Sequence, residues 1–209
     1  GEMPQDLDFQ VTLPTDWNQR TVFLGTGGFA GNFAASNPYL ATHAYATITS
    51  NHGHTAGGLD PEFALDAQML EEYSYLAVPR VMGPAKAIIQ ERYGDKVSGT
   101  KMVYDGCSGG GRQGLIQAQR YPDLFDGVIS RAPANAFTPQ FLWYQKVERQ
   151  LAQPGGALSS AKMQAISDAV LAKCDALDGL ADKMIGRPDA CTFDPVELAC
   201  TGAETDSCL

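Results

Sequence analysis

Residues 104–114 read YDGCSGGGRQG, with a serine set among glycines after an apolar run and before a helical pattern. Gly106-Cys107-Ser108-Gly109-Gly110 fits G-x-S-x-G, the spacing that carries a serine hydroxyl over the edge of a sheet on a strand-to-helix turn. Such a turn strains the serine's backbone, and small flanking residues let the next helix pack close. The amide of Gly109, at the helix N-terminus, would then point into the same space as the hydroxyl. Donation from it to a developing oxyanion is worth about 3–4 kcal/mol. Cys107 offers a second nucleophile, but the central residue of the pentapeptide projects into the site and its neighbour points sideways. Cys107 is therefore better placed to cross-link than to attack.

A glycine-rich turn can instead cradle phosphate at a helix N-terminus, as in nucleotide-binding α/β domains. Against this, no lysine follows in P-loop register and G-x-G-x-x-G is not matched. A second glycine-rich stretch, GTGGFAG at 25–31, is expected to follow the third sheet strand. Serine hydrolases with this elbow place their second oxyanion amide there. Gly28 is the candidate donor, with Gly27 beside it.

The elements that must hold these residues follow from periodicity. DFQVTLP (8–14) alternates like a half-buried edge strand; RTVFLG (20–25) and AYATITSN (44–51) are compact β-rich runs. From Glu62 to Tyr93 the pattern is helical, with two helices expected to break near Pro79 or Pro84 and Gly94 as the stop. TKMVYDG (100–106) reads as a strand, GRQGLIQAQRYP (111–122) as a helix and FDGVIS (125–130) as a strand. Strands alternating with helices imply an α/β fold with a largely parallel sheet covered on both faces. After RAPAN the character changes to helical pieces and loops, giving an expected core over 1–135 and a lid-like domain over 136–209.

The 209 residues carry a net charge of −9, which argues against nucleic acid and anionic lipid as partners. No apolar run reaches the length of about 18 residues needed to span a membrane. Of five cysteines, Cys107 stands apart, while Cys174, Cys191, Cys200 and Cys208 cluster in a loop-rich tail. That clustering points to disulfides and to a secreted or periplasmic protein. A zinc site is the rival, but no CxxC pair or nearby histidine supports it. The start, GEMPQDLDF, is polar and acidic, so no signal peptide is visible there and any targeting segment is expected to have been removed or left out of this sequence.

The run GCSGGGRQGLIQAQRYPDLFDGVISRAPA resembles the tannase and feruloyl esterase family, which includes bacterial monohydroxyethyl terephthalate hydrolases. LPTDWNQRTVFLGTGGFAG, SNHGHT, PAKAIIQERYG and CDALDGLADKMIGRPDACTFDP resemble further family segments in the expected order. The resemblance implies an α/β-hydrolase fold with an inserted lid domain and a serine esterase acting on esters of aromatic acids. It makes Ser108 the nucleophile and Cys107 a disulfide tether to a cysteine beside the catalytic histidine. It also implies Cys174–Cys191 and Cys200–Cys208 pairs, the first loop being worth about 3 kcal/mol by chain entropy. Family chains are roughly twice as long as this one.

The family's Ser–Asp–His order requires an aspartate and a histidine after the lid. His43, His52 and His54 all precede Ser108. The triad aspartate and histidine are therefore expected outside this chain, in a C-terminal half or a second chain; His54 alone would need an unprecedented geometry. The alternative is a calcium-stabilised subunit with a binding role only. Phe141, Trp143 and Tyr144 could line a ring-clamping lid or form its core.

CDALDGLADKM spaces Asp175, Asp178 and Asp182 by three and four residues, where like charges on one helix face would repel. A cation relieves that repulsion. The three carboxylates with the carbonyls of Leu180 and Met184 make a plausible oxygen cage for Ca²⁺, and the spacing is not an EF-hand. A solvated acidic turn is the other reading. The resemblance favours calcium, since the same five positions match the family's calcium loop.

Overall fold

The computed structural model describes residues 6–206, 208 and 209. Two compact units divide the chain, Gly1–Phe137 and Thr138–Leu209.

The first unit is built on a five-stranded sheet of order β1-β3-β2-β4-β5. β1 (Phe9–Thr12) runs antiparallel along β3, with Val11 opposite Ile48. Its alternating exposure is that of an edge strand. β2 (Arg20–Gly25) is buried at four consecutive positions because it lies centrally, parallel to β3 on one side and to β4 on the other. α1 (Pro38–Thr42) separates it from β3 (Ala46–Ser50) and is capped by Asn37, whose side chain accepts the amides of Tyr39 and Leu40.

The segment from Glu62 to Tyr93 is helical, but it does not break where its prolines stand. The interruption lies at Asp66, whose carboxylate caps α2 (Ala67–Glu71) by accepting from the amides of Gln68 and Met69. A single π-helical turn, Glu72–Leu76, then joins α2 to α3 (Ala77–Tyr93), the amide of Ala77 reaching back five residues to Glu72. A proline ring crowds the carbonyl four residues before it. For Pro79 that carbonyl belongs to Tyr75, inside the widened turn, so the chain passes Pro79 without a break. Pro84 lies in the interior of α3. The helix persists because Val78, Val81, Met82, Ala85 and Ile89 are buried at helical spacing. Gly94 ends it at a φ of 57°.

These side chains pack on a row that crosses the sheet. Ile48, Phe23, Tyr104 and Val128 are successive register partners from β3 through β2 and β4 (Lys101–Cys107) to β5 (Gly127–Arg131). α4 (Gly109–Arg120) lies on the same face, where a side chain on Gly114 would come within 2.9 Å of the Tyr104 ring. Coverage of both faces was expected, and here the structure differs. Among the described residues of the first unit, the other face carries only the short α1, whose Leu40 packs on Val22 and Leu24. Ile129 on that face is 50% exposed.

The second unit contains α5 (Phe137–Leu151), which opens on the last residue of the first, and α6 (Ser160–Cys174), capped by Ser159. Short turns follow, and no strand is found there among the described residues. Disulfides join Cys174 to Cys191 and Cys200 to Cys208. Among the described residues, no helix is long and apolar enough to cross a membrane.

Candidate active site

Ser108 is the single residue between β4 and α4, with φ 58° and ψ −118°. A positive φ is costly for a residue with a Cβ and persists only where the surroundings impose it. Three backbone hydrogen bonds do so: the Ser108 amide donates to Arg131 O at 3.0 Å, and the Ser108 carbonyl accepts from Arg112 at 3.0 Å and Ala134 at 3.1 Å. The ends of β4 and β5 and the first turn of α4 thus converge on one strained peptide. Gly106 is required beside it, because a Cβ there would lie 2.5 Å from the backbone carbonyl of Gly110. Ser108 and Cys107 are both exposed, and Cys107 is unbonded within this chain.

The glycine-rich loop follows β2, the second strand among the described residues, where a third was expected. Its level is set by register: Gly25 pairs with Gly106, so the loop leaves the sheet beside the serine turn. Gly28, at φ 59°, abuts the turn so closely that a Cβ on Gly109 would lie 2.2 Å from the Gly28 carbonyl oxygen. The loop is tied at each peptide. Ala30 N–H donates to Gly27 O at 3.1 Å, Phe29 N–H to Gly58 O at 2.7 Å and Gly31 N–H to Asn51 O at 3.1 Å. The amide of Gly109 opens a helix, where no preceding carbonyl can accept it.

His52 and His54 lie in the interior beside Tyr73 and Arg112, and His43 lies at the end of α1. His52 and His54 are each 1% exposed, and His54 stacks on Phe63 at 3.8 Å. Burial, then His54 and Arg112, drive the His52 pKa down to about 3; burial also lowers that of His54. His43 is exposed beyond α1, its ring stacked on Tyr39. Among the described residues no hydrogen bond joins a histidine to Ser108.

Behind the loop lies a cluster that motif reading does not reveal. Arg112, one turn after Ser108, is 8% exposed, with its guanidinium 4.6 Å over the Tyr73 ring and 5.0 Å over Phe137. Its Nε and Nη2 are buried without a protein hydrogen-bond partner. The Tyr73 hydroxyl donates to the carbonyl of Gly28 at 3.4 Å. Burial raises the Tyr73 pKa while Arg112 opposes the rise. Glu72, buried beside Tyr73, pairs with Arg80. The signal for Arg112 in the sequence is slight: a charge at a position where the elbow helix must face inward.

In the second unit, Asp175–Asp178 form one tight turn closed by Gly179 at φ 96°. Their carboxylates serve as backbone acceptors. Asp178 takes the amides of Leu180 (2.9 Å) and Gly186 (2.7 Å), which hold its carboxyl below the usual range. Asp182 takes Met184 N–H at 3.0 Å and Asp175 takes Lys183 N–H at 3.1 Å. The Oδ1 of Asp175 is buried without a protein partner. Hard oxygen donors of this kind are what a Ca²⁺-type cation takes. Among the described residues, however, no three acidic, histidine or cysteine side chains converge closely enough to hold a metal. Phe141, Trp143 and Tyr144 lie on α5 with 38%, 59% and 43% of their surface exposed.

Comparison with known proteins adds three findings. The tannase and feruloyl esterase family model matches residues 2–209. An uncharacterized esterase of Xanthomonas campestris is 38% identical over 98% of this chain and 36% of its own length, and a probable feruloyl esterase B-1 of Aspergillus fumigatus is 33% identical over 96% and 38%. The crystal structure of feruloyl esterase B from Aspergillus oryzae superposes with a TM-score of 0.86 at 27% identity, over 97% of this chain and 41% of that one. The architecture is thus of the α/β-hydrolase type, and the chain spans about two fifths of the length of these relatives.

Proposed function

This chain belongs to the tannase and feruloyl esterase family, and from that premise we propose that it carries the nucleophile of a serine carboxylic ester hydrolase. What carries the proposal is the backbone of Ser108, held at φ 58° between a strand and a helix by three hydrogen bonds. Ser108 Oγ attacks the ester carbonyl carbon and gives its proton to a histidine base oriented by an aspartate. The amides of Gly109 and Gly28 receive the oxyanion. Collapse of the tetrahedral intermediate breaks the bond to the alcohol, which leaves with the proton from the imidazolium. Water then attacks the acyl-serine by the same route in reverse.

The base and its aspartate come from a C-terminal segment or second chain beyond these 209 residues. This is supported by the burial of His52 and His54, the depressed His52 pKa, and the open sheet face bearing Ile129. Cys107 would tether that partner by a disulfide, holding serine and histidine together. We assign 1–135 to the hydrolase core and 136–209 to the lid. Substrates are esters of aromatic acids, as the names of the feruloyl esterase relatives suggest. The two disulfides agree with a secreted or periplasmic protein.

The carboxylates of Asp175, Asp178 and Asp182, with the carbonyls of Leu180 and Met184, would hold Ca²⁺ as a structural ion that offsets their mutual repulsion. Adding Ca²⁺ should then raise Tm, and a chelator should reverse the rise; an unchanged Tm at millimolar Ca²⁺ removes the ion from the account.

The assay for the main claim is hydrolysis of methyl ferulate by the assembled enzyme. Ser108→Ala should lose at least about 10³-fold in kcat. Full activity in that variant would end the proposal.

A further inference from the structure

We infer that Tyr73 and Arg112 are positioning residues that lock the oxyanion loop to the helix carrying the nucleophile. This rests on the proposed role of Gly28 as an oxyanion donor. A backbone N–H is aimed by its peptide plane, and the Gly27–Gly28 plane is fixed from its far side, where Gly27 O accepts from Ala30 N–H at 3.1 Å. The next plane, Gly28–Phe29, is held at both ends: Phe29 N–H on Gly58 O at 2.7 Å and Gly28 O on the Tyr73 hydroxyl at 3.4 Å. Gly28 has no side chain to restrain its torsions, so these bonds are what define its amide direction. Ala30 and Phe29 add packing, the first fully buried and the second against Phe63, Tyr73 and Phe137.

Arg112 joins this loop to the serine. Its own amide donates to Ser108 O at 3.0 Å, while its guanidinium lies over the rings of Tyr73 and Phe137. A buried cation between two aromatic faces fixes both rings. The connection therefore runs from Ser108 through Arg112 to Tyr73 and on to Gly28, across elements far apart in sequence. Donors in an oxyanion hole act through preorganisation, because no reorganisation is then needed as charge develops. At 3.4 Å the Tyr73 bond is long for a hydroxyl donor. It orients the peptide more than it anchors it, so its loss should be felt modestly and in the transition state.

Tyr73→Phe tests this, since the ring and its cation contact remain and only the hydroxyl goes. Two readouts separate the possibilities. In this chain, hydrogen exchange at the Phe29 amide should rise at least about fivefold, with Tm within a few degrees of wild type. In the assembled enzyme, kcat on an aromatic ester should fall about tenfold with KM and the pH profile unmoved. Arg112→Met should do the same, and Arg112→Lys should recover part of the loss through its retained charge. Unchanged exchange at Phe29 overturns the lock whatever the activity. Faster exchange with unchanged kcat in an active enzyme overturns the positioning role. Faster exchange in a protein whose wild type neither hydrolyses aromatic esters nor reacts at Ser108 leaves the lock standing and removes the proposed function beneath it.

Discussion

Ser108 occupies a conformation that a glycine would adopt at little cost, and that defines a trade between stability and chemistry. Ser108→Gly should relieve strain of about 1–3 kcal/mol, less the greater entropy loss of glycine on folding. A net gain of about 1 kcal/mol in a urea titration is expected, together with complete loss of reaction at this position. A destabilised variant would mean that the backbone at Ser108 is not strained. Gly106 behaves in the opposite way. A Cβ there would meet the Gly110 backbone at 2.5 Å, which can move only if α4 shifts off the sheet. Gly106→Ala should therefore cost about 3 kcal/mol or prevent folding. At this scale the serine turn was legible because its chemistry and its geometry are written in one pentapeptide. Arg112 and Tyr73 were not, because their meeting depends on how α4 and the π-helical turn pack, which no local spacing encodes.

The strands of the first unit and its helices other than α1 were legible from apolar periodicity, within a residue or two at most ends. Pro79 and Pro84 misled, since a proline reads as a break unless the preceding turn is known to be widened. The order of strands was also out of reach of local pattern, and with it the fact that β2 lies beside β4 and aims its loop at the serine. The end of β3 carries a consequence for pH. His52 titrates near 3 when folded and at its usual 6.5 when unfolded, so the unfolded chain binds more protons between these values. The stabilisation is complete above about pH 6.5 and is lost as pH falls toward 3; His54 shifts in the same direction. The urea midpoint should drop from pH 7 to pH 4 by the equivalent of a few kcal/mol, and His52→Gln should flatten that fall. A wild-type midpoint independent of pH over this range would contradict the burial described for His52.

For the molecule as a whole, the sequence shows a serine turn that all three histidines, His43, His52 and His54, precede. What it did not disclose is the uneven clothing of the sheet, because strands alternating with helices imply cover on both faces. The face with α3 and α4 is buried, whereas Ile129 on the other is half exposed. If that face receives the segment that supplies the base, Ile129→Lys should leave the stability of this chain within about 0.5 kcal/mol while weakening assembly in co-purification. Loss of stability in the isolated chain would show the face to be already covered.

The most direct measurement is peptide mapping of the assembled protein after reaction with a fluorophosphonate. A single adduct on Ser108, absent in Ser108→Ala and retained in Cys107→Ser, is the expected result. An adduct that survives Ser108→Ala, or a protein that hydrolyses aromatic esters with Ser108 unmodified, would contradict the assignment of the nucleophile.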